Sequence, residues 1–304
     1  MNQEVYHIPA LLTQTIDGLD IKPDGIYVDV TFGGGGHSRA ILDRLGEGGR
    51  LIAFDQDLDA IERAPRDPRL TMVHSNFRFL TNLLRYHDID AVDGILGDLG
   101  VSFHHFDDAS RGFTFRDADA PLDMRMNSDA PATAADLLNQ APAEDLTRVF
   151  KLYGELNNAR RVADAIVKAR AVAPLRTSGD LQQAVARLIN PKQEKKDLAK
   201  IYQALRIEVN DEIAALRELL ASSLRALKVG GRLAIITYHS LEDRLVKNFM
   251  KSGNIDGTIE KDLFGRADVP LKPLTNKPII PDDAEVEANP RSRSAKLRVA
   301  TKVQ

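Results

Sequence analysis

Four consecutive glycines, Gly33, Gly34, Gly35 and Gly36, separate a β-forming run at 25–32 (GIYVDVTF) from a helix-forming run that opens with His37 and Ser38. A turn needs one or two glycines, and each further one costs backbone entropy. The excess points to a ligand that approaches the bare backbone. An open α/β sheet takes nucleotide-like ligands at this place, beyond the carboxyl ends of its strands, and free amides at a helix start favour an anionic group. Asp55 closes the next β-forming run, 22 residues after Gly33. A carboxylate there can accept both hydroxyls of a ribose. Asp98, in GDLGVS, closes a further run, and Asn76-Phe77 follows another. In a parallel sheet all of these share one edge, where the Phe77 ring could flank an adenine.

The dinucleotide pattern GxGxxG fits poorly. Started at Gly33 it puts Ser38 at its third glycine, started at Gly34 it puts Arg39 there, and no lysine follows for a P-loop. S-adenosylmethionine (SAM) needs the same ribose carboxylate, the same close backbone and amides for its own carboxylate, without phosphates. The chain has no cysteine. That excludes disulfides, thiolate zinc sites and cysteine nucleophiles, and with them the thiolate-dependent methylation of pyrimidine C5. Oxygen and exocyclic nitrogen remain as methyl acceptors. A cytosine amino group is a weak nucleophile, so a hydrogen-bond acceptor beside it would help, and Asp98 and Ser102 are the candidates. The Pro-Pro-aromatic signature of amino methylases is absent; Leu99-Gly100 stand in its place. The residues alone leave the substrate open. They also leave two rivals: a NAD-dependent oxidoreductase on the same sheet, and an RNA-binding protein that keeps the fold without catalysis.

Positioning these residues takes a βαβ frame. Strands are expected at 25–32, 50–55, 70–75 and 92–99, alternating with helices at 37–45, 58–66 and 77–87. The alternation stops near 106. Four helical runs follow up to 206, with Thr133, Asn157 and Ser178 as caps. It resumes with a long helix at 209–227, a strand at 232–240 and a helix at 241–252. Residues 253–290 contain five prolines and read as irregular, with a short strand at 278–280, before a closing antiparallel strand at 295–303. The expected fold is α/β, a Rossmann-like SAM-methyltransferase sheet formed by 1–105 and 207–304, with a helical, substrate-recognising insertion at 106–206.

Bulk properties set further bounds. Of 304 residues 43% are hydrophobic and 28% charged, as in a water-soluble globular chain. There is no 18-residue apolar run, and the N-terminus does not read as a signal peptide, so a cytoplasmic protein with no membrane partner is expected. A net charge of −3 confines nucleic-acid contacts to local patches; the segment 288–304 holds five basic residues and no acid.

Several stretches together, TFGGGGHS, AFDQD, GDLGVS, RGFTFRDADAPLDMRMN, YQALRIEVNDE, YHSLEDR and NPRSRSAKLRVA, make the chain resemble the ribosomal RNA small-subunit methyltransferase H (MraW) family from about residue 6 to 301. The resemblance implies a SAM-dependent methyltransferase acting on N4 of a cytidine in the decoding region of small-subunit (16S) rRNA, on a Rossmann-like domain interrupted by a helical one. It places Gly35, Gly36, His37, Asp55, Phe77, Asp98 and His105 on SAM. His105 stands where the family often has glutamine, and Tyr238 where phenylalanine is common. A proton-accepting, catalytic role for Asp98 is this reading's own addition. Ser102, Arg206, Asn210, His239 and Ser240 are candidates for the RNA side, with Arg206 and Asn210 one helical turn apart. Arg291, Arg293 and Lys296 could hold phosphates. Asp123 and Arg125 suggest a rigid loop over the cofactor cleft. No metal is expected, because the adjacent His104 and His105 diverge. The expected partner is an assembled or nearly assembled small (30S) subunit. The face at 207–228 either supports a homodimer or covers the sheet.

Overall fold

The strand-forming runs of the first hundred residues come out as β1 (Ile26–Asp29), β2 (Arg50–Asp55), β3 (Leu70–His74) and β4 (Val92–Asp98). Between and before them lie α1 (Leu12–Leu19), α2 (Gly36–Arg44), α3 (Leu58–Glu62) and α4 (Leu80–Tyr86). This is a computed structural model, describing residues 9–100, 108–259 and 269–304. The chain divides into two units, Met1–Gly100 with Ile213–Gln304, and Val101–Glu212.

The second unit carries α5 (Ala134–Gln140), α6 (Ala143–Leu152), α7 (Ala159–Arg170), α8 (Ser178–Val185) and α9 (Glu194–Val209). Thr133 and Thr177 close capping boxes with Asp136 and Asp180, each satisfying amide donors at a helix start. The expected caps at 157 and 178 thus fall one residue off, at Asn158 and Thr177. Phe113, Leu138, Leu146, Phe150, Ile166, Leu181, Ile201 and Leu205 belong to this unit's own apolar core. The boundary expected at 206 falls inside α9, which runs on to Val209.

The first unit resumes with α10 (Glu212–Ala226), β5 (Leu227–Thr237), α11 (Ser240–Ser252), β6 (Leu271–Pro273), α12 (Asp283–Ala288) and β7 (Lys296–Lys302). Among the described residues, seven strands form one sheet in the order β3-β2-β1-β4-β5-β7-β6. The first five are mutually parallel; β7 runs antiparallel to β5 and β6 to β7. Strand alternation sorts the core. Val28, Ile52, Ile95, Leu233 and Ile235 face a layer that includes Leu80, Leu84, Leu216, Leu219 and Phe249. Tyr27, Leu51, Leu96, Ala234 and Ile236 face Ile16, Leu19, Ile41 and Leu42. Apolar side chains on both faces are the pattern of a parallel sheet covered by helices on both sides. The apolar stripe of α10 therefore packs on the sheet.

Some elements differ from expectation for local reasons. α3 stops at Glu62, before Pro65, which cannot continue a helix. Residues 77–79 form a tight 3₁₀ turn ahead of α4. β5 begins at Leu227 rather than 232, passing through Gly230 at φ 83° where its register with β4 shifts. β6 and α12 lie in the stretch read as irregular, and the strand expected at 278–280 is a single bridge, Ile279 to Leu297.

Candidate active site

β1 has β2 on one side and β4 on the other, so the strand order reverses there, and the crevice outside such a point is where α/β sheets bind ligands. The loop after β1 fills that position. Gly33 sits at φ 52° and donates its amide to Asp55 Oδ2 at 2.7 Å. Gly35, at φ 75°, is the residue from which α2 starts, and a Cβ there would lie 2.7 Å from the Phe32 ring. A Cβ on Gly36 would lie 2.2 Å from Pro9. These three glycines are required by the chain itself. Gly34 is not: its φ is outside the left-handed region, and a Cβ added to it would meet nothing within 4 Å. The backbone is left bare there toward the outside.

Two residues that the sequence reading passed over hold this loop. Asp29, the last residue of β1, is completely buried. Its Oδ2 accepts from Ser38 Oγ at 2.7 Å and its Oδ1 from the Thr31 amide at 3.0 Å. Thr31 Oγ1 in turn accepts from the Asp98 amide at 2.6 Å. One carboxylate thus ties β1 to α2, and through Thr31 the end of β4 joins them. Burial pushes Asp29 up to about 6, against the hydrogen bonds from Ser38 and Thr31 that favour its charge. The signal was legible: an acid in the middle of the β-former run VDV has to point into one covered face of the sheet.

Asp55 accepts the Gly33 amide at Oδ2 and the Asp57 amide, at 2.9 Å, at Oδ1. A carboxylate offers about four lone-pair positions, so it can still accept a diol. Next to it, Gln56 Oε1 accepts from Asn76 Nδ2 at 2.9 Å, which fastens the ends of β2 and β3 together. Asn76 Oδ1 accepts from the Arg78 amide, forming the turn that carries Phe77, whose ring is partly buried against the core.

Asp98 ends β4 with its side chain 23% exposed. Its Oδ1 accepts from the Tyr238 hydroxyl at 2.8 Å, and its Oδ2 lies 3.7 Å from His37 Nδ1. The close packing of protein around it pushes the carboxyl up to about 7; the Tyr238 hydrogen bond pulls it down, and the charges of Asp29 and Glu242 push it further up. Burial lowers His37 to about 4, so the imidazole is neutral at physiological pH. The glycine loop, Asp55 and Asp98 therefore line one edge, with the Gly34 backbone bare beside two carboxylates. That set suits a ligand with a ribose, a carboxylate and a cationic amine, as SAM has. A dinucleotide needs two mononucleotide-binding halves. Here the second half ends in antiparallel β7 and the three-residue β6, which argues against the NAD alternative.

The described residues assigned to the RNA side are divided between the two units. His239 caps α11: its Nδ1 accepts from the Glu242 amide at 3.5 Å, and its Nε2 lies 3.0 Å from Glu242 Oε1 without the geometry of a hydrogen bond. Ser240, the first residue of α11, is exposed. Both follow the end of β5, on the edge of Asp98. Arg206 and Asn210 lie in the helical unit and are engaged within it. Arg206 forks onto Glu212, with both contacts at 2.8 Å. Asn210 accepts from the Met126 amide and donates to the carbonyls of Met124 and Arg206, all within 2.9 Å. The loop it holds is further pinned by the Asp123–Arg125 fork, with contacts of 2.8 Å. In the first unit, Arg291 and Arg293 are exposed, whereas Lys296 approaches Asp243 at 3.7 Å. Ser102, His104 and His105 lie outside the described residues.

A family model described as the MraW methylase family matches residues 4–303. Among curated relatives, the ribosomal RNA small subunit methyltransferase H of Bacteroides thetaiotaomicron is 60% identical over 297 residues, covering 98% of this chain and 97% of its own. Its namesake in Flavobacterium johnsoniae is 54% identical over 298 residues, covering 98% of each chain. Among solved structures, a rRNA methylase from Streptococcus thermophilus spans 98% of this chain and 99% of its own at 12% identity and a TM-score of 0.44, too loose a likeness to bear on the site.

Proposed function

This chain belongs to the MraW methylase family, and from that premise we propose that it transfers the methyl group of SAM to N4 of a cytidine in the decoding region of small-subunit rRNA. The observation that carries the cofactor half is Gly34, bare toward open space on the edge that also holds Asp55 and Asp98. Asp55 takes the ribose, the loop amides take the amino-acid carboxylate, Phe77 flanks the adenine, and Asp98 with His37 takes the amine. When bound, the cofactor would supply an electrophilic sulfonium methyl for in-line transfer to the acceptor nitrogen, with the thioether as leaving group and one N4 proton released. The relatives' name supports rRNA as the substrate. The absence of cysteine agrees with an exocyclic nitrogen as acceptor.

A base-modifying enzyme takes its target out of the stack, so the cytidine is extruded into the site. With a net charge of −3, the chain has no broad electrostatic hold on naked RNA. We therefore take the substrate to be an assembled or nearly assembled subunit, which supplies many small contacts. Asp98 carries the cofactor amine. A second task, accepting the N4 proton, would show as a D98N variant whose turnover falls further than its affinity for S-adenosylhomocysteine (SAH); equal losses confine Asp98 to the cofactor.

The direct test supplies radiolabelled SAM to small subunits that lack the modification and analyses the rRNA nucleosides. Label in N4-methylcytidine is the expected result. Label accepted only by naked rRNA would overturn the assembled substrate but not the reaction. SAM binding without label in either would favour a non-catalytic assembly role.

A further inference from the structure

Tyr238 follows the last residue of β5, and its ring packs at the edge of the core layer that contains Leu96, Ala234 and Ile236. Its hydroxyl donates to Asp98 Oδ1 at 2.8 Å. Burial raises the phenol far above its ordinary range, and the charges of Asp98, Glu242 and Glu285 raise it further. The hydroxyl therefore holds Asp98 as a donor.

The other oxygen of Asp98 faces a different neighbour. His37 Nε2 lies 3.2 Å from the Ala10 carbonyl, and a carbonyl only accepts, so Nε2 carries the ring proton. Nδ1 of the neutral ring then presents a lone pair, and it stands 3.7 Å from Asp98 Oδ2. Two acceptors facing each other repel unless a group with N–H or O–H bonds joins them. The pair therefore offers two acceptors to one donor group, and a cationic amine is such a group.

We propose that Tyr238 is a positioning residue for the cofactor, its hydroxyl clamping Asp98 by Oδ1 so that Oδ2 and His37 Nδ1 together seat the α-ammonium of SAM. The proposal rests on the reading of Asp98 as a cofactor residue and adds a residue to it. Where the family pattern commonly has phenylalanine, this chain has a hydroxyl on the one carboxylate that the amine needs.

The consequence is a pH dependence with a definite sign. The seat needs ionised Asp98, whose carboxyl stands near 7. Among the described residues, the groups that act on it are Asp29 at the end of β1, His37 on α2, Tyr238 after β5 and Glu242 on α11; Glu285 on α12 acts on Tyr238. The Tyr238 hydrogen bond favours the charged form, so removing it moves the ionisation of Asp98 to higher pH. Affinity for an amine-bearing ligand rises as pH rises through that ionisation, and it should rise later in Y238F.

Calorimetric titration of the full chain, wild type and Y238F, tests this between pH 6 and 8.5. Two ligands are used: SAH, which carries the amine but no transferable methyl, and 5′-methylthioadenosine, which lacks the amino-acid part. In Y238F we expect SAH to bind about tenfold more weakly at pH 7.5, the loss of one hydrogen bond to a charged group. The rise of its affinity with pH should also move upward, while methylthioadenosine binding stays within about twofold. Unchanged SAH affinity and pH profile would overturn the proposal. So would equal losses for both ligands, which would mean a general disturbance of the pocket. A D98N variant run in parallel separates the two layers. If it loses SAH affinity while Y238F does not, the Tyr238 proposal alone fails; if D98N also binds SAH normally, the assignment of Asp98 to the cofactor fails with it.

Discussion

The four glycines are not equivalent, and they can be told apart by experiment. A Cβ at Gly36 would strike Pro9 at 2.2 Å, so G36A forces a shift between the chain before α1 and the start of α2. Overpacking of that kind costs about 1–3 kcal/mol, and a lower melting temperature is expected. G34A meets no atom of the chain. Alanine at a compatible backbone position is neutral or stabilising by about 0.4–1 kcal/mol. We therefore expect G34A to melt at or above the wild-type temperature while its SAM affinity, measured by calorimetry, falls at least tenfold. Normal SAM binding by G34A would remove the main structural argument for the loop as the cofactor cradle. The same residues show what the sequence disclosed about the site. Asp55 and Asp98 could be picked out because each ends a β-forming run, and a parallel sheet brings such ends together. Asp29 went unnoticed, and Tyr238 stood out only as a departure from a common phenylalanine, although each holds part of the site. Asp29, an acid inside a β-forming run, carried a legible signal, whereas the partner of the Tyr238 hydroxyl emerges only from the folded contact to Asp98.

At the scale of elements, Asn210 separates a structural from an RNA-binding reading of the YQALRIEVN motif. Its side chain ends α9 and ties that end to the backbone of Met124 and Met126. Met124 itself sits at φ 63°, a conformation a non-glycine residue keeps only when its neighbours hold it. N210A leaves a partly buried amide and a carbonyl without their partner, and a loss of about 2–3 kcal/mol is expected in urea unfolding. A variant as stable as the wild type would return Asn210 to the list of RNA contacts. The spacing of Arg206 and Asn210 makes them candidates for the RNA side, because helix periodicity says which residues share a face but not what lies against it. The parallel strands and the helical interruption could be read from periodicity because they are long and regular. β6, three residues around a proline-containing stretch, and α12, six residues long, are too short to leave a period. β5 hid its first turn of strand behind Gly230-Gly231, which read as a break but is a bulge in a continuous strand.

At the scale of the molecule, binding and folding divide along the chain. The glycine loop, Asp29, Asp55, Asp98 and Tyr238 all belong to the first unit, although Tyr238 lies beyond the helical unit in sequence. Among the described residues, the buried cluster of the second unit draws on residues from Phe113 to Leu205, and two of its helices start with complete capping boxes. A segment of roughly a hundred residues buries enough surface to fold independently. We therefore expect a fragment spanning 108–212 to show a helical circular dichroism spectrum, to melt cooperatively and to bind no SAH. The Asp123–Arg125 fork and the Asn210 contacts lie wholly inside that fragment, so the N210A loss should appear there at the same size as in the full chain. Interactions that share no partner with the rest of the molecule add independently. A fragment that is unstructured, or whose stability ignores N210A, would mean that the helical unit depends on the sheet for its order.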